Sequence, residues 1–183
     1  MNKKSLIAAA LLGVALAAGA IPLKTDVAHS TVAAVFKQMN VPVEAKFKKF
    51  SAQIDYDAAK PESAKASVDI ETASLDLGDA DMNKEVAKKD WFNSAQFPKA
   101  NFTSSSIKPA GAGKLTVAGK LAIKGKTQDV SFPLSVKAEG GKQVFEGTLP
   151  IKRLAFNIGE GEWKDTSMVA DEVVIKFRVI AAQ

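Results

Sequence analysis

Apolar and polar residues alternate along much of this 183-residue chain, and this pattern restricts its fold more than any other feature. Successive side chains of a β-strand point to opposite faces of the sheet, so alternation indicates a strand with one covered face. The pattern is clear in five segments, at residues 50–56, 64–70, 115–123, 130–136 and 173–179. The chain is therefore expected to be all-β, with one apolar face on each strand.

Turn-forming residues separate these segments, as in "DAAKPES", "GAG", "KGKTQD" and "EGGK". Their spacing is typical of an antiparallel meander. Further strands are expected near residues 30–39, 99–108 and 143–157, which brings the total to about eight strands. A sheet of about eight strands can close into a barrel whose interior holds side chains or one small ligand. We therefore predict a closed antiparallel barrel.

Three positions interrupt the strand patterns. The strand predicted over residues 143–157 changes phase at the Lys152–Arg153 pair, which predicts a β-bulge there. Gly119 and Gly147 lie inside strand patterns, and we expect the same kind of bend at both glycines.

One segment, "DADMNKEVAKKDWF" at residues 79–92, has a helical pattern instead. Asp79 or Asp81 can cap its N-terminus, and Met82 and Val86 lie one turn apart on the same face. A helix this short must pack on another element to persist. We expect it to lie near one end of the barrel.

The first twenty residues have the parts of a secretory signal peptide. Lys3 and Lys4 precede the apolar run "SLIAAALLGVALA", and small residues lead to a cleavage site after Ala20. Residues 1–20 are therefore predicted to be removed, and residues 21–183 to form a single domain in the periplasm. No later segment approaches the roughly 20 apolar residues that a membrane span requires.

Composition excludes several classes of functional site. The chain has no cysteine, so disulfides, thiol catalysis and thiolate metal sites are not expected. A single histidine, His29, cannot build a multi-histidine metal centre. The net charge is +5, but the lysines are scattered and form no basic cluster of the kind that binds nucleic acid. We predict no metal, no cofactor and no nucleic-acid partner.

His29 and Ser30 are adjacent in "DVAHST", with Asp26 nearby, so a hydrolase triad has to be considered. Neighbouring residues on a strand point to opposite faces, which prevents His29 from activating Ser30. The sequence also has no Gly-x-Ser-x-Gly nucleophile elbow. We expect no catalytic residue here. His29 is interpreted as a structural hydrogen-bonding residue, with a polar group at a cavity mouth as the alternative.

The aromatic residues are mostly of the apolar type, with ten Phe and two Trp beside a single Tyr. Many lie on the apolar phase of the predicted strands, where such rings either fill a core or line a cavity. Composition alone leaves both alternatives open. The residues expected to face the interior are Phe36, Ile54, Val68, Ile70, Trp91, Phe92, Phe102, Leu121, Ile123, Phe132, Leu134, Phe156, Ile175 and Phe177.

Seven stretches in order make the sequence resemble the YceI family of exported, lipid-binding, lipocalin-like proteins. They span about residues 24–181 and read "DVAHSTVAAVF", "FKKFSAQIDYD", "SVDIETASLDLGD", "KDWFNSAQFPKANFTSSSI", "GKLAIKGKTQDVSFPLSV", "IKRLAFNIGEGEW" and "DEVVIKFRV". Each stretch alone is a weak signal, and the ordered set is specific.

The resemblance implies an extended, eight-stranded, antiparallel, lipocalin-like barrel with one short helix near one end and a long isoprenoid chain or related amphiphile inside. The interior residues are then candidates for lining the ligand cavity. His29, Asn40 and Lys46 are candidates for contacting a head group at its mouth. Many family members have an Arg-Asp-x-His-Leu pattern before the paired aromatics, where this chain has "MNKEV" at residues 82–86. Roles of that Arg and His therefore do not transfer to this chain.

We therefore predict a periplasmic carrier for an isoprenoid lipid, either a polyprenyl chain or an isoprenoid quinone, that acts by binding and is not an enzyme. Transient membrane contact and homodimerisation are compatible with such a barrel, although no exposed apolar strip demands a dimer. Two alternatives stay open: a stress-related exported barrel with a filled core and no ligand, and a lipid-modifying enzyme that uses His29 as general base.

Overall fold

The structure, a computed structural model, describes residues 20–183, so the predicted signal peptide lies outside the described residues except for Ala20. Over this range the chain forms eleven strands and one short α-helix. The helix α1 spans Ala80–Val86. The strands are β1 (Pro22–Thr25), β2 (Thr31–Gln38), β3 (Val41–Phe47), β4 (Phe50–Asp55), β5 (Lys65–Glu71), β6 (Leu75–Asp76), β7 (Lys99–Pro109), β8 (Lys114–Ile123), β9 (Lys126–Glu139), β10 (Lys142–Lys152) and β11 (Val169–Ala182).

All strand pairs are antiparallel, and the sheet closes into a barrel with eight strand positions. β1 and β2 follow one another along the first strand position of the barrel and are separated by a 3-10 turn. β3 and β4 follow one another along the second position. The other positions are β5, β7, β8, β9, β10 and β11, and the barrel closes where β11 pairs with both β2 and β1. The short β6 adds to β3 beside α1. The predicted eight-stranded antiparallel barrel is confirmed.

The prediction omits β3, although Val43, Ala45 and Phe47 alternate with polar residues there. Pro42 obscures the pattern because proline lacks the N–H that a central strand would use. Pro42 is the second residue of β3, next to the turn that connects β2 to β3.

The prediction for the end of β10 is wrong. β10 ends at Lys152, and a 3-10 turn over Arg153–Phe156 replaces the expected bulge. Asn157 ends this turn in the left-handed region, with a φ of 57°. Because the chain leaves the sheet here, Phe156 is not a strand residue and is completely buried in the core.

Register shifts do occur, but they lie on β7 between Ser104 and Ser106 and on β11 between Val169 and Val173. Ser104 pairs with Gly119, so the bend expected at this glycine lies on the partner strand. Gly147 pairs in regular register on both sides of β10, and the bulge expected there is wrong.

Phenylalanine rings lie across both strand glycines. A Cβ atom on Gly119 would be 2.7 Å from the Phe102 ring, and one on Gly147 would be 2.5 Å from the Phe177 ring. Phe132 lies between these rings, with its centroid 5.4 Å from that of Phe102 and 5.6 Å from that of Phe177. The two glycines therefore make room for a row of three rings inside the barrel.

Gly147→Ala is expected to destabilise the protein by about 1–3 kcal/mol, the usual cost of overpacking, because the new methyl group meets the Phe177 ring. In a Phe177→Ala background the same substitution should cost less than half as much. The nearest remaining atom is then the Pro133 carbonyl oxygen, 3.0 Å from the new Cβ.

Urea-induced unfolding of the four proteins in this cycle measures the coupling. Thr148→Ala, at an exposed neighbouring position, is the control and should change stability little. An equal cost of Gly147→Ala in both backgrounds would contradict the packing of Phe177 on Gly147.

Candidate functional site

An elongated apolar cavity, the axial cavity, extends along the inside of the barrel with a volume of about 180 Å³. Its lining runs from Tyr56 and Leu115 near one end to Ile123 near the other. The lining side chains are apolar except for Lys65, Arg153 and the Tyr56 hydroxyl. Burial raises the pKa of Tyr56, and the neighbouring Asp57 charge adds to this effect. The axial cavity therefore offers a long hydrocarbon surface and few hydrogen-bonding groups.

Eleven of the fourteen residues predicted to face the interior line the axial cavity. Ten of them lie on six strands, where the alternation of side chains directs them inward. The eleventh, Phe92, lies in the segment after α1. These residues are Ile54, Val68, Ile70, Phe92, Phe102, Leu121, Ile123, Phe132, Leu134, Ile175 and Phe177. That they contact a ligand stays a prediction.

A second cavity, the helix-side cavity, has a volume of about 190 Å³ and lies between α1, β2 and the residues around Trp91 and Trp163. Phe36 and Trp91, two more of the predicted interior residues, line this cavity and not the axial one. The two cavities share a wall, to which Ala34, Phe92, Arg153, Ile158 and Val173 contribute.

Phe156 lines neither cavity. The sequence pattern placed it on an inward strand face, but the 3-10 turn after β10 carries it into the packed core.

The three head-group candidates, His29, Asn40 and Lys46, also line neither cavity. His29 is exposed at the 3-10 turn before β2, Asn40 lies in the β2–β3 turn with a φ of 65°, and Lys46 is exposed on β3. Polar residues at a mouth and polar residues on the outer face look alike in a sequence, and here all three are on the outside. A contact of any of these three residues with a head group stays a prediction.

His29 and Ser30 do not form a nucleophile–base pair. His29 Nδ1 lies 3.0 Å from Asp26 Oδ1. The Ser30 hydroxyl donates to the Asp26 carbonyl oxygen at 2.6 Å and accepts from the Ile180 N–H at 2.9 Å. Lys142 and then His29 hold the pKa of Asp26 down at about 2. This cluster ties the start of β2 to the end of β11.

Arg153 is only 2% exposed, although the sequence interpretation predicted no buried cation here. All five of its N–H groups donate to backbone carbonyl oxygens, at 2.7–3.3 Å, from Ile158, Gly159, Trp163, Val169 and Ala170. Burial lowers the pKa of its guanidinium, and the Asp171 charge opposes this effect. The sequence did indicate that Arg153 is buried, because it lies two residues after Ile151 and so falls on the same, inward face of the strand pattern.

Trp91 packs between Arg153 and Trp163 in the helix-side cavity. The Trp91 and Trp163 ring centroids are 5.3 Å apart, and the Arg153 Cζ atom lies 5.7 Å from the Trp91 centroid. Trp91 is 9% exposed, and its Nε1 is buried without a hydrogen-bond partner among the described residues. The indole N–H is therefore a free donor in a mostly apolar surrounding.

A second buried cation, Lys124, fixes the same end of the barrel. Its Nζ donates to the carbonyl oxygens of Lys89 and Asn157, both at 2.7 Å, and to Glu160 Oε2 at 2.9 Å. The Lys124 charge lowers the pKa of Glu160. These contacts join the β8–β9 turn to the segment after α1 and to the loop after β10, and so hold the walls around Trp91.

Within residues 20–183, no three His, Cys, Asp or Glu side chains are grouped as metal ligands would be. In the same range, no helix has the length and apolar character of a membrane span.

Comparison with known proteins identifies the barrel. The family model of the YceI-like domain matches residues 23–181. The chain belongs to the YceI-like family. A UPF0312 protein of Pseudomonas fluorescens is 34% identical over 173 residues, which cover 85% of this chain and 87% of the relative. A UPF0312 protein of Shewanella baltica is 31% identical over 138 residues, with coverages of 74% and 72%.

Solved YceI-like structures have the same fold. Burkholderia cenocepacia BcnA is 55% identical with a TM-score of 0.84, and the match covers 86% of this chain and 99% of that one. A polyisoprenoid binding domain from Saccharophagus degradans has a TM-score of 0.70, with coverages of 89% and 98%. Its identity is 16%, so this likeness shows the fold alone.

In this YceI-like domain, α1 is attached by a small polar network. The Asp79 side chain caps the helix by accepting from the Asp81 and Met82 N–H groups, each at 2.9 Å. Asn83 donates to Asp76 Oδ1 at 3.0 Å and accepts from the Leu77 N–H at 2.7 Å. In the "MNKEV" segment, Asn83 therefore attaches the helix beside the helix-side cavity.

This attachment is expected to weaken in acid. Lys48, then Asn83 and the Gly78 N–H, lower the pKa of Asp76 to about 2. Because the folded-state pKa lies below the ordinary value near 4, the stabilisation is present above pH ~4 and is lost as the pH falls towards ~2. Asp76→Asn should therefore show a smaller acid-induced fall in the urea midpoint than the wild type.

The control is Asp81→Asn, because the ion pair of Asp81 with Lys84 lies on the exposed side of α1. This variant should keep the full fall between about pH 5 and about pH 2.5. The same full fall in Asp76→Asn would show that Asp76 does not hold the helix.

Proposed function

We propose that this protein binds an isoprenoid lipid, either a polyprenyl chain or an isoprenoid quinone, with the chain in the axial cavity. The observation that carries the proposal is the elongated apolar cavity between the barrel strands. An apolar cavity of about 150 Å³ in another protein accommodates benzene, and the axial cavity, at about 180 Å³, exceeds it. The cavity supports this function over the alternative of a barrel with a filled core.

The energetics suit a long hydrocarbon chain. Each buried CH₂ group yields roughly 0.8 kcal/mol before costs are counted, so a chain gains affinity along the part that the cavity encloses. Ordering of a flexible chain and incomplete burial offset a large part of this gain. The row of Phe102, Phe132 and Phe177 lines the axial cavity, and we infer that a bound chain passes alongside these rings.

The relatives support the same class of ligand. The Saccharophagus degradans domain with the same fold is described as polyisoprenoid binding. BcnA shares more than half of its aligned residues with this chain, but its name indicates no ligand.

The proposed activity is binding rather than catalysis. His29, the one residue offered as a general base, is exposed and lines neither cavity. No carboxylate and no histidine line the axial cavity, whose titratable lining groups are Tyr56, Lys65 and the fully hydrogen-bonded Arg153. A lipid-modifying enzyme is therefore the weaker alternative.

We further infer that the protein acts as a carrier in the periplasm. A lipid with a long prenyl chain needs an enclosed apolar surface to cross an aqueous compartment. Exposed Met39, Val41 and Met168 lie beside Gln38 and Val169 of the helix-side cavity, and exposed Met82 lines that cavity. These side chains form an apolar rim for transient contact with a membrane. Finding the mature chain outside the periplasmic fraction would contradict this location.

Ile70→Asp and Leu121→Asp are expected to lower the affinity for a fluorescent prenyl chain by more than about a hundredfold. A carboxylate on the cavity wall must be desolvated when a hydrocarbon binds, which costs several kcal/mol. Fluorescence titration measures the affinity, and circular dichroism checks that each variant is folded. Thr116→Asp, at an exposed position of the same strand as Leu121, is the matched control and should bind normally. Undiminished binding by a folded inward variant would refute the cavity as the site.

A further inference from the structure

The methionines of the described residues are all on the surface. Three of the four methionines in the sequence lie within residues 20–183, and Met39 is 65% exposed, Met82 50% and Met168 43%. Methionine is one of the residue types most often found fully buried. Within the same range, no methionine belongs to either hydrophobic core cluster. Packing of the barrel therefore does not explain why thioether side chains are present at these positions.

Met39 and Met168 are neighbours at one end of the barrel. β2 pairs with β11 there through Gln38 and Val169, and the Met39 N–H donates to the Met168 carbonyl oxygen at 2.8 Å. The two residues are far apart in the sequence, so the closure of the barrel brings them together. Two residues with thioether side chains thus lie side by side on the surface.

Met39 occupies a position that the local conformation does not favour. It is the first of the two residues in the β2–β3 turn, with a φ of 49°, and Asn40 follows with a φ of 65°. A turn with two positive φ angles usually contains Asn, Asp or Gly, because other side chains are strained in the left-handed region. Residues held in strained conformations often serve a function. Among the described residues, Met39 is the most exposed large apolar residue.

The apolar rim beside the helix-side cavity consists of Met39, Val41, Met82 and Met168. Val41 pairs with Gln38 across the β2–β3 hairpin and is 62% exposed, and Met82 lines the cavity. Gln38 and Val169 also line it, so the rim and the cavity wall are continuous. A rim that continues an apolar cavity suits a lipid surface, because a lipid passes between the two without exposing its chain to water.

A thioether differs from the other apolar side chains because its sulfur can be oxidised. A sulfur lone pair attacks one oxygen of a peroxide, an S–O bond forms and the O–O bond breaks. The proton on the attacked oxygen moves to the departing oxygen, which leaves as water when the oxidant is hydrogen peroxide. Sulfur loses two electrons and the peroxide gains them. The product, methionine sulfoxide, is polar and disrupts methionine-rich contact surfaces.

We propose that Met39 and Met168 form a modification site at which a peroxide produces sulfoxides, and that this oxidation ends the contact of the apolar rim with a membrane. This inference rests on the proposed function, because the membrane contact of the rim is part of it. Neither residue lines the axial cavity. Oxidation therefore releases the protein from the membrane while the axial cavity keeps its lipid.

The test measures binding to vesicles of phosphatidylethanolamine and phosphatidylglycerol before and after treatment with hydrogen peroxide. Peptide mass spectrometry should show one added oxygen atom on Met39 and one on Met168. Vesicle binding of the oxidised wild type should fall at least about tenfold, because two apolar side chains have become polar groups that resist burial. Affinity for a fluorescent prenyl chain should change less than about twofold. Methionine sulfoxide reductases should restore vesicle binding.

Two variants separate the pair from Met82, which peroxide also reaches. The double variant Met39→Leu with Met168→Leu keeps the rim apolar without its two sulfur atoms. It should bind vesicles like the wild type and should continue to bind them after peroxide treatment. Met82→Leu is the matched control, since it keeps the pair and should lose vesicle binding on oxidation. Circular dichroism checks that each chain stays folded after treatment.

The possible failures point to different levels. Absence of sulfoxide at Met39 and Met168, vesicle binding that survives their oxidation, or an equal loss in the double leucine variant would overturn the modification site alone. An untreated wild type that binds the prenyl chain but not vesicles would contradict the membrane contact, and the modification proposal with it. Self-association of that chain, reversed by peroxide, would make the rim a contact between two copies instead. Binding of neither vesicles nor the prenyl chain would refute the proposed function as a whole.

Discussion

The structure depends on the closure of a sheet in which nearly every strand has one apolar face. Closing about eight strands removes the edges of the sheet, and it directs all the inward side chains into a space that they do not completely fill. The glycines on β8 and β10 make room for the Phe102 and Phe177 rings inside the barrel. The space that remains is elongated and apolar, and the proposed function follows from that shape.

Two buried cations determine how one end of this barrel is built. Arg153 gathers carbonyl oxygens from the loop between β10 and β11, and Lys124 links the β8–β9 turn to that loop and to the segment after α1. Each charge is stabilised by backbone dipoles, and only Lys124 also contacts a carboxylate. Truncating either side chain would leave several buried carbonyl groups without donors, so the loop geometry around Trp91 depends on them. The other end is held by the smaller cluster of Asp26, His29 and Lys142.

The sequence predicted the barrel because alternation is a local signal that tertiary structure seldom overrides in a half-buried strand. The same signal identified the inward positions of β4, β5, β8, β9 and β11, from Ile54 to Phe177. The alternation failed after β10, where the chain leaves the sheet and Arg153 binds carbonyl oxygens 5 to 17 residues further along. It could not locate His29, Asn40 and Lys46, since a polar side chain gives no sign of which end or face of a barrel it occupies. The helix-side cavity was not predictable, because it forms between segments whose contacts depend on Arg153 and Lys124.

Native mass spectrometry of the protein purified from the periplasm of its own cells tests the central claim most directly. We expect a mature chain that carries one lipid, and solvent extraction should release an isoprenoid compound in about equimolar amount. A chain that carries no lipid, and whose mass is unchanged after incubation with prenyl quinones and polyprenyl phosphates, would contradict the account.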